Sequence, residues 1–218
     1  MAEKFGAETD DTQKIARAPR RSFSKKAPDV RRQELIDATF RCLVRLGEAE
    51  TSVRTIADEA GLSLGMVRHH FRSKDELLAE TYRNLSAQLQ EQTARALAEA
   101  GPSPGEQLHA LVMAGLRPPI LDRDYIRVRF LFWGLTHTNE AVRRVHEEIY
   151  GRFQQQLHDL IDRTARANGA TVDAAAVTLA VMALLKGAWL EWSLAPDAVD
   201  PQALVAQILP VLRQSLSQ

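Results

Sequence analysis

Apolar residues recur at helical spacing along most of the chain, and short segments rich in glycine, proline and capping residues separate these runs. The first run covers residues 29–46, where Ile36, Phe40 and Leu43 fall on one side of a helix that Gly47 ends. No stretch shows the strict alternation of apolar and polar residues that a half-buried β-strand needs. The pattern therefore predicts an all-α protein.

The next stretch, from Ser52 to Phe71, predicts two short helices joined by a turn. Ser52 caps the first helix, Gly61 takes the left-handed conformation that ends it, and Ser63 caps the second. Val67 and Phe71, four residues apart, give the second helix one buried stripe. The remaining residues of the second helix then face outward: Leu64, Gly65, Met66, Arg68, His69 and His70. Two such helices form a helix-turn-helix, whose outward helix enters the major groove of DNA.

Six further helical segments follow, at residues 73–100, 103–116, 122–138, 139–169, 173–193 and 200–212. Pro210 is expected to kink or break the last of them. Residues 173–193 are apolar on nearly every face, but Lys186 lies well inside this stretch, which is slightly short for a membrane span. We therefore expect a buried helix that packs against its own domain on one side and against a partner subunit on the other.

The charges of the chain balance overall, but basic residues are clustered in one segment. The 218 residues carry 28 Lys or Arg and 28 Asp or Glu, so no overall field attracts DNA. Residues 1–29 lack helical periodicity and the apolar core of a signal peptide, which predicts a disordered arm on a cytoplasmic protein. Basic residues concentrate in the second half of this arm and just after it: Lys14, Arg17, Arg20, Arg21, Lys25, Lys26, Arg31 and Arg32. Such an arm either contacts DNA phosphates or remains a solvated tail.

Some motifs resemble catalytic or metal-binding sites, but the structure predicted around them does not allow that function. Gly61-Leu-Ser63-Leu-Gly65 matches the hydrolase pattern G-x-S-x-G, but that motif needs a preceding strand and here a helix precedes the serine. His69 and His70 point roughly 100° apart on a helix and cannot chelate one metal ion together. Cys42 is the single cysteine and is expected to be a small buried hydrophobe. We predict no enzyme activity, no catalytic residue, no metal site and no cofactor.

Aromatic residues concentrate in the second half of the chain and are the candidates for a small-molecule site. They either form core, as aromatic residues at helical spacing usually do, or line a ligand cavity with a polar group such as His137 or Glu191. The candidate ligand-binding residues are Phe130, Trp133, His137, Tyr150, Trp189 and Trp192.

Several motifs in the first half resemble the TetR/AcrR family of transcriptional regulators. They are Arg32-Gln-Glu-Leu-Ile-Asp-Ala-Thr-Phe, Ser52-Val-Arg-Thr-Ile-Ala-Asp-Glu-Ala-Gly61, Leu62-Ser63-Leu-Gly65 and His69-His-Phe71-Arg-Ser-Lys74-Asp-Glu-Leu-Leu78. This resemblance covers residues 30–82. Further along, Trp133-Gly-Leu and Val142-Arg-Arg-Val-His146 are similar to the betaine/choline (BetI-type) subgroup.

The resemblance implies roles for individual residues at the DNA. It implies phosphate contacts for Ser52, Arg54 and Lys74, and base contacts or flanking positions for Ser63, Leu64, Gly65, Met66, Arg68, His69 and His70. Many family members have a polar residue where this chain has Leu64 or Met66, and a tyrosine in place of His70. Since Leu64 and Met66 cannot form hydrogen bonds there, specificity would rest on thymine methyl contacts, on Arg68 and on the arm. In the choline subgroup, two of the tryptophans would face a quaternary ammonium group.

Three units are therefore expected: a basic arm at residues 1–29, a helix-turn-helix domain at residues 30–78, and an effector-binding and dimerisation domain at residues 79–218. The expected function is that of a homodimeric repressor, which a small molecule of open identity releases from a palindromic operator in double-stranded DNA. The alternative is a helix-turn-helix regulator controlled by a partner protein, or by no ligand, whose aromatic residues serve only as core.

Overall fold

The structure is a computed structural model and describes residues 28–207 of the chain. Eight helices are described from end to end in that range: α1 (Pro28–Glu50), α2 (Val53–Ala60), α3 (Leu64–His70), α4 (Lys74–Glu99), α5 (Pro104–Ala114), α6 (Arg123–Leu135), α7 (Glu140–Ala167) and α8 (Ala174–Leu194). A further helix, α9, begins at residue 201 and is described as far as residue 207. No β-strand occurs among the described residues, and the all-α prediction is confirmed. The predicted basic arm up to residue 27 and the predicted kink at Pro210 lie outside the described residues.

Capping residues begin most of these helices at the predicted positions. Ser103 and Glu106 form a complete capping box at the start of α5, because each accepts a hydrogen bond from the other's backbone N–H at 3.2 Å. At the start of α4 such a box, which Ser73 and Glu76 would form by the same spacing, is only half formed. The Ser73 hydroxyl accepts from the Glu76 N–H as expected, but the Glu76 carboxylate accepts from the N–H of Arg72 at 2.7 Å instead of from that of Ser73.

Two clusters of buried apolar side chains form the core. The smaller cluster joins α1, α2 and α3 and contains Cys42, whose thiol pKa is raised by burial. The larger cluster joins α4 to α9 and includes Leu43 of α1. Two consecutive residues of α4 belong to different clusters, Leu77 to the smaller and Leu78 to the larger. Because α4 is packed into both, a displacement of α4 in one cluster is carried into the other.

Helix α8 is buried along one side only. Its buried residues, which pack into the larger cluster, are Thr178, Val181, Met182, Leu185, Ala188 and Trp189. On the other side Leu179, Leu190 and Leu194 are 64%, 44% and 72% exposed. Length and composition alone would allow α8 to cross a membrane, but a single such helix is weak evidence for a membrane span. Its burial on one side agrees with the expected packing of α8 against its own domain. The contact with a partner subunit expected on the other side stays a prediction.

Candidate nucleic-acid interface and ligand cavity

Helices α2 and α3 form the turn that the sequence predicts. Ser52 starts α2 by accepting a hydrogen bond from the N–H of Thr55, and Gly61 ends it in the left-handed conformation with φ 65°. Ser63 starts α3 by accepting from the N–H of Met66 at 3.2 Å. Since the Ser63 hydroxyl caps a helix and does not sit at a strand-to-helix turn, the hydrolase motif has no structural counterpart here.

Most of the predicted outward residues of α3 are exposed. Leu64 is 41% exposed, and Gly65, Arg68 and His69 also lie on the surface. Met66 differs from the expectation, because its side chain is half-buried and packs against the smaller core cluster. A thioether is flexible enough to fill a gap under so short a helix. The candidate base-reading surface is therefore narrower than the sequence suggests.

His70 is half-buried at the end of α3, and its pKa is lowered by burial, by the neighbouring His69 and by the positive charge of Arg32. Arg32 itself lies over the Phe71 ring, 4.9 Å from its centroid, and donates to the Glu80 carboxylate at 2.7 Å. His70 therefore favours the neutral form, which can both donate and accept hydrogen bonds at a base edge.

Some of the basic side chains near α3 already form an ion pair within the protein, and others do not. Lys74 Nζ lies 2.7 Å from the Glu48 carboxylate and 3.2 Å from the Glu48 carbonyl oxygen, so the predicted phosphate contact would compete with this ion pair. Arg54 and Arg68 are exposed and form no ion pair with any other residue in the range 28–207. An incoming phosphate therefore meets Arg54 and Arg68 unpaired, and also Arg72, whose exposed side chain forms no ion pair with another described residue.

A cavity lies among α4, α5, α6, α7 and α8, with about 640 Å³ of space not filled by protein atoms, including its opening to solvent. Every one of these helices contributes to its wall. The described lining residues are Tyr82, Leu89, Thr93, Leu111, Val112, Gly115, Arg129, Trp133, His146, Ile149, Tyr150, Phe153, Met182, Leu185, Lys186 and Trp189.

The structure brings together three of the six candidate ligand residues, namely Trp133, Tyr150 and Trp189. The other three do not line the cavity in the described structure. Phe130 packs edge-on against the Trp133 ring at 5.2 Å, His137 is exposed beyond the end of α6, and Trp192 is half-buried near the end of α8. The charged lining residues Arg129 and Lys186 were not among the candidates. The position of Lys186 inside the apolar run of α8 was a signal that could have identified it.

Two cations line the cavity. Lys186 Nζ donates to the Tyr150 hydroxyl at 2.7 Å and lies 4.3 Å from the centroid of that ring. The Arg129 side chain is 4% exposed, and its Nη2 donates to the hydroxyl of Tyr125 at 2.6 Å. The Trp189 indole N–H donates to the carbonyl of Gly115 at 2.8 Å, which fixes the ring against α5.

His146 connects the cavity to α4. Its Nδ1 lies 2.8 Å from the hydroxyl of Tyr82, and its pKa is lowered by burial and by the positive charges of Lys186 and Arg129. A neutral imidazole can accept the Tyr82 hydrogen bond at Nδ1. Nearer the surface, the Arg83 guanidinium pairs with the Glu148 carboxylate at 2.7 Å, so that a second polar contact joins α4 to α7.

Comparison with known proteins identifies both halves of the chain. Residues 35–81 match the family model of bacterial regulatory proteins of the tetR family, and residues 104–216 match that of the BetI-type transcriptional repressor C-terminal domain. The HTH-type transcriptional regulator BetI of Stenotrophomonas maltophilia is 33% identical over 170 residues, covering 78% of this chain and 85% of that protein. A transcriptional regulator of Pseudomonas aeruginosa PAO1 superposes with a TM-score of 0.82 at 33% identity, covering 90% of this chain and 95% of that chain.

The chain therefore belongs to the TetR family of bacterial transcriptional regulators. These are helix-turn-helix proteins that bind DNA operators, dimerise and respond to small-molecule effectors. Within the family, its second half is of the BetI repressor type, and the chain is a ligand-responsive DNA-binding regulator homologous to BetI repressors. A regulator of Saccharomonospora viridis in complex with choline shares the fold, with a TM-score of 0.73 at 22% identity over 85% of this chain and 96% of that one.

Proposed function

We propose that this chain acts in the cytoplasm as a homodimeric repressor, which binds a palindromic operator and leaves it when a small molecule fills the cavity. One observation carries the proposal. Tyr82, Leu89 and Thr93 of α4 line the cavity, while Leu77 of the same helix is buried in the smaller core cluster under α2 and α3. A ligand that displaces α4 would therefore reorient the helix-turn-helix.

At the DNA, α3 is proposed to enter the major groove with Leu64, Gly65 and Arg68 towards the base edges. Arg54 and the hydroxyl of Ser52 would contact phosphates on either side of the groove. In a dimer the two α3 helices must lie about 34–36 Å apart to reach successive major grooves of a palindrome. A tilt of α4 that changes this separation lowers the affinity for both half-sites together.

The proposed dimer interface is the exposed apolar side of α8. Leu179, Leu190 and Leu194 fall on one side of the helix, and they are the large hydrophobic residues of α8 that are exposed in the described structure. Leu179→Glu and Leu194→Glu should shift sedimentation from dimer to monomer, because each places a charge in an apolar interface. A wild-type chain that sediments as a monomer at micromolar concentration would contradict the dimer.

The cavity distinguishes this proposal from regulation by a protein partner alone, since such a regulator needs no cavity between α4 and α8. The decisive experiment has two steps. Genome-wide mapping of bound DNA identifies the operator, and fluorescence anisotropy then measures operator affinity with and without candidate metabolites. Release by a compound that also binds the isolated protein supports ligand control. Operator affinity that stays the same at saturating concentrations of every bound compound would contradict it.

A further inference from the structure

We propose that the effector is an amphipathic carboxylate with an aromatic or alkyl body, and that the cavity rejects quaternary ammonium compounds. This inference rests on the proposed effector role of the cavity and adds the chemical class of the ligand. It departs from the quaternary ammonium that the resemblance to the choline subgroup suggests.

The first argument is the charge of the cavity wall. Arg129 and Lys186 both line the cavity, and none of the described lining residues is Asp or Glu. A cation entering this space would meet two like charges at low dielectric, whereas an anion would neutralise them.

The second argument is that Arg129 has a buried hydrogen-bond donor without an acceptor among the described residues. A guanidinium offers a planar set of N–H donors that matches a carboxylate. Within residues 28–207 the Nη2 of Arg129 has one acceptor, the Tyr125 hydroxyl, and the buried Nε has none. No carboxylate of the described residues pairs with this arginine. A buried charge with unsatisfied donors is costly, and a bound carboxylate is the group that would satisfy it.

The third argument concerns the aromatic faces that a quaternary ammonium would need. Lys186 Nζ lies 5.8 Å from the centroid of Trp133, and the Arg129 guanidinium carbon lies 5.3 Å from that of Trp189. The protein's own cations therefore already lie over one face of both tryptophan rings of the cavity, as Lys186 also does at the Tyr150 ring.

The remaining wall suits an apolar body attached to the anion. Tyr150 accepts its hydrogen bond from Lys186, so its own O–H proton is free to be donated to the same carboxylate that Lys186 binds. Away from these polar groups the wall is apolar, with Leu89, Leu111, Ile149 and Phe153 among its residues. The polar end of the ligand would thus lie between α6 and α8.

The test uses two sets of probes on the full-length protein. Within each set the apolar body is similar and the polar end is anionic, neutral or cationic. Phenylacetate, phenylacetamide and benzyltrimethylammonium share an aromatic ring, and octanoate, octanamide and octyltrimethylammonium provide the alkyl counterparts. Isothermal titration should give the carboxylate of at least one set an affinity about tenfold or more above its amide, because charge-assisted hydrogen bonds distinguish the two. Heat of binding from the ammonium probes should be absent.

Variants locate the binding groups. Lys186→Met should weaken carboxylate binding about tenfold, and Lys186→Glu should reverse the preference towards the ammonium probe. Arg129→Met should also weaken it, and circular dichroism checks that this buried replacement folds. Arg127→Met, at an exposed position of the same helix, is the matched control and should leave binding unchanged.

Each outcome bears on one claim. An ammonium probe that binds as tightly as its carboxylate overturns the inference, and so does the failure of every carboxylate to bind. Neither result touches operator binding, which is measured without a ligand. If the protein instead binds a carboxylate through Lys186 but keeps its operator affinity, the ligand class stands and the proposed release mechanism fails.

Discussion

Replacing Tyr82 with phenylalanine tests the connection between the cavity and α4. Tyr82 is 1% exposed, and its ring stacks on Phe132 with the centroids 4.8 Å apart. Its hydroxyl lies 2.8 Å from Nδ1 of His146 on α7. Phenylalanine keeps the stacked ring and removes the hydroxyl, and with it this hydrogen bond between the two helices.

The expected size of the effect follows from the two groups involved. One intramolecular hydrogen bond contributes about 1 kcal/mol net, and a buried group left without a partner costs about 1–3 kcal/mol. His146 is half-buried beside an open cavity, where water can replace the lost hydroxyl, so we expect the lower end. Tyr82→Phe should therefore reduce the free energy of unfolding by about 1 kcal/mol and the melting temperature by about 2–4 °C for a chain of this length.

Urea unfolding measures the loss of stability, and operator binding with and without the carboxylate probe measures the coupling. If the bond links the cavity to α4, the variant's response to the ligand should fall by up to about fivefold, the equivalent of 1 kcal/mol. Thr81→Val is the matched control, because Thr81 is equally buried on α4 but its hydroxyl donates to Leu77 of its own helix. A Tyr82→Phe protein with unchanged stability and unchanged ligand response would refute the reasoning.

Three further outcomes are expected. Ser52→Ala and Ser103→Ala each remove a capping box and should each cost about 1 kcal/mol of stability, but gel-shift titration should show weaker operator binding for Ser52→Ala alone. Glu48→Gln should free Lys74 for the DNA and steepen the salt dependence of operator affinity by about one phosphate contact; an unchanged slope would show that Lys74 does not reach the DNA. His146 should titrate below the ordinary histidine pKa of 6.5 in NMR spectra. Since the unfolded chain then takes up this proton first, stability should fall as the pH drops below 6.5, and His146→Gln should lose that part of the pH dependence.

The helix boundaries could be predicted well because capping chemistry is local. Ser52, Ser63 and Asn139 each accept a hydrogen bond from a backbone N–H three residues ahead, a relation that spacing along the chain contains. The dimeric and DNA-bound states, the unit boundaries and the role of each DNA-facing residue stay predictions.

The cavity was predicted only in part because its wall forms between helices. Phe130 and Trp133 lie three residues apart on α6, yet only Trp133 reaches the cavity, since the packing of α4, α7 and α8 against α6 decides which side is enclosed. Arg129 was missed for the same reason. An arginine on an amphipathic helix is usually solvated, and its burial depends on contacts with Tyr125 and Trp189 that spacing does not reveal.

The two sides of α8 have a thermodynamic consequence. Met182, Leu185 and Lys186 line the cavity, and Leu179 and Leu194 stand exposed on the same rigid helix. If the exposed side of α8 forms the dimer interface proposed above, a ligand that shifts α8 from inside also changes the affinity of one copy for another, and dimerisation must change ligand affinity by the same factor. Titrations carried out above and below the dissociation constant of the dimer would then yield two different ligand affinities, and cellular abundance would set the concentration of effector to which the regulator responds.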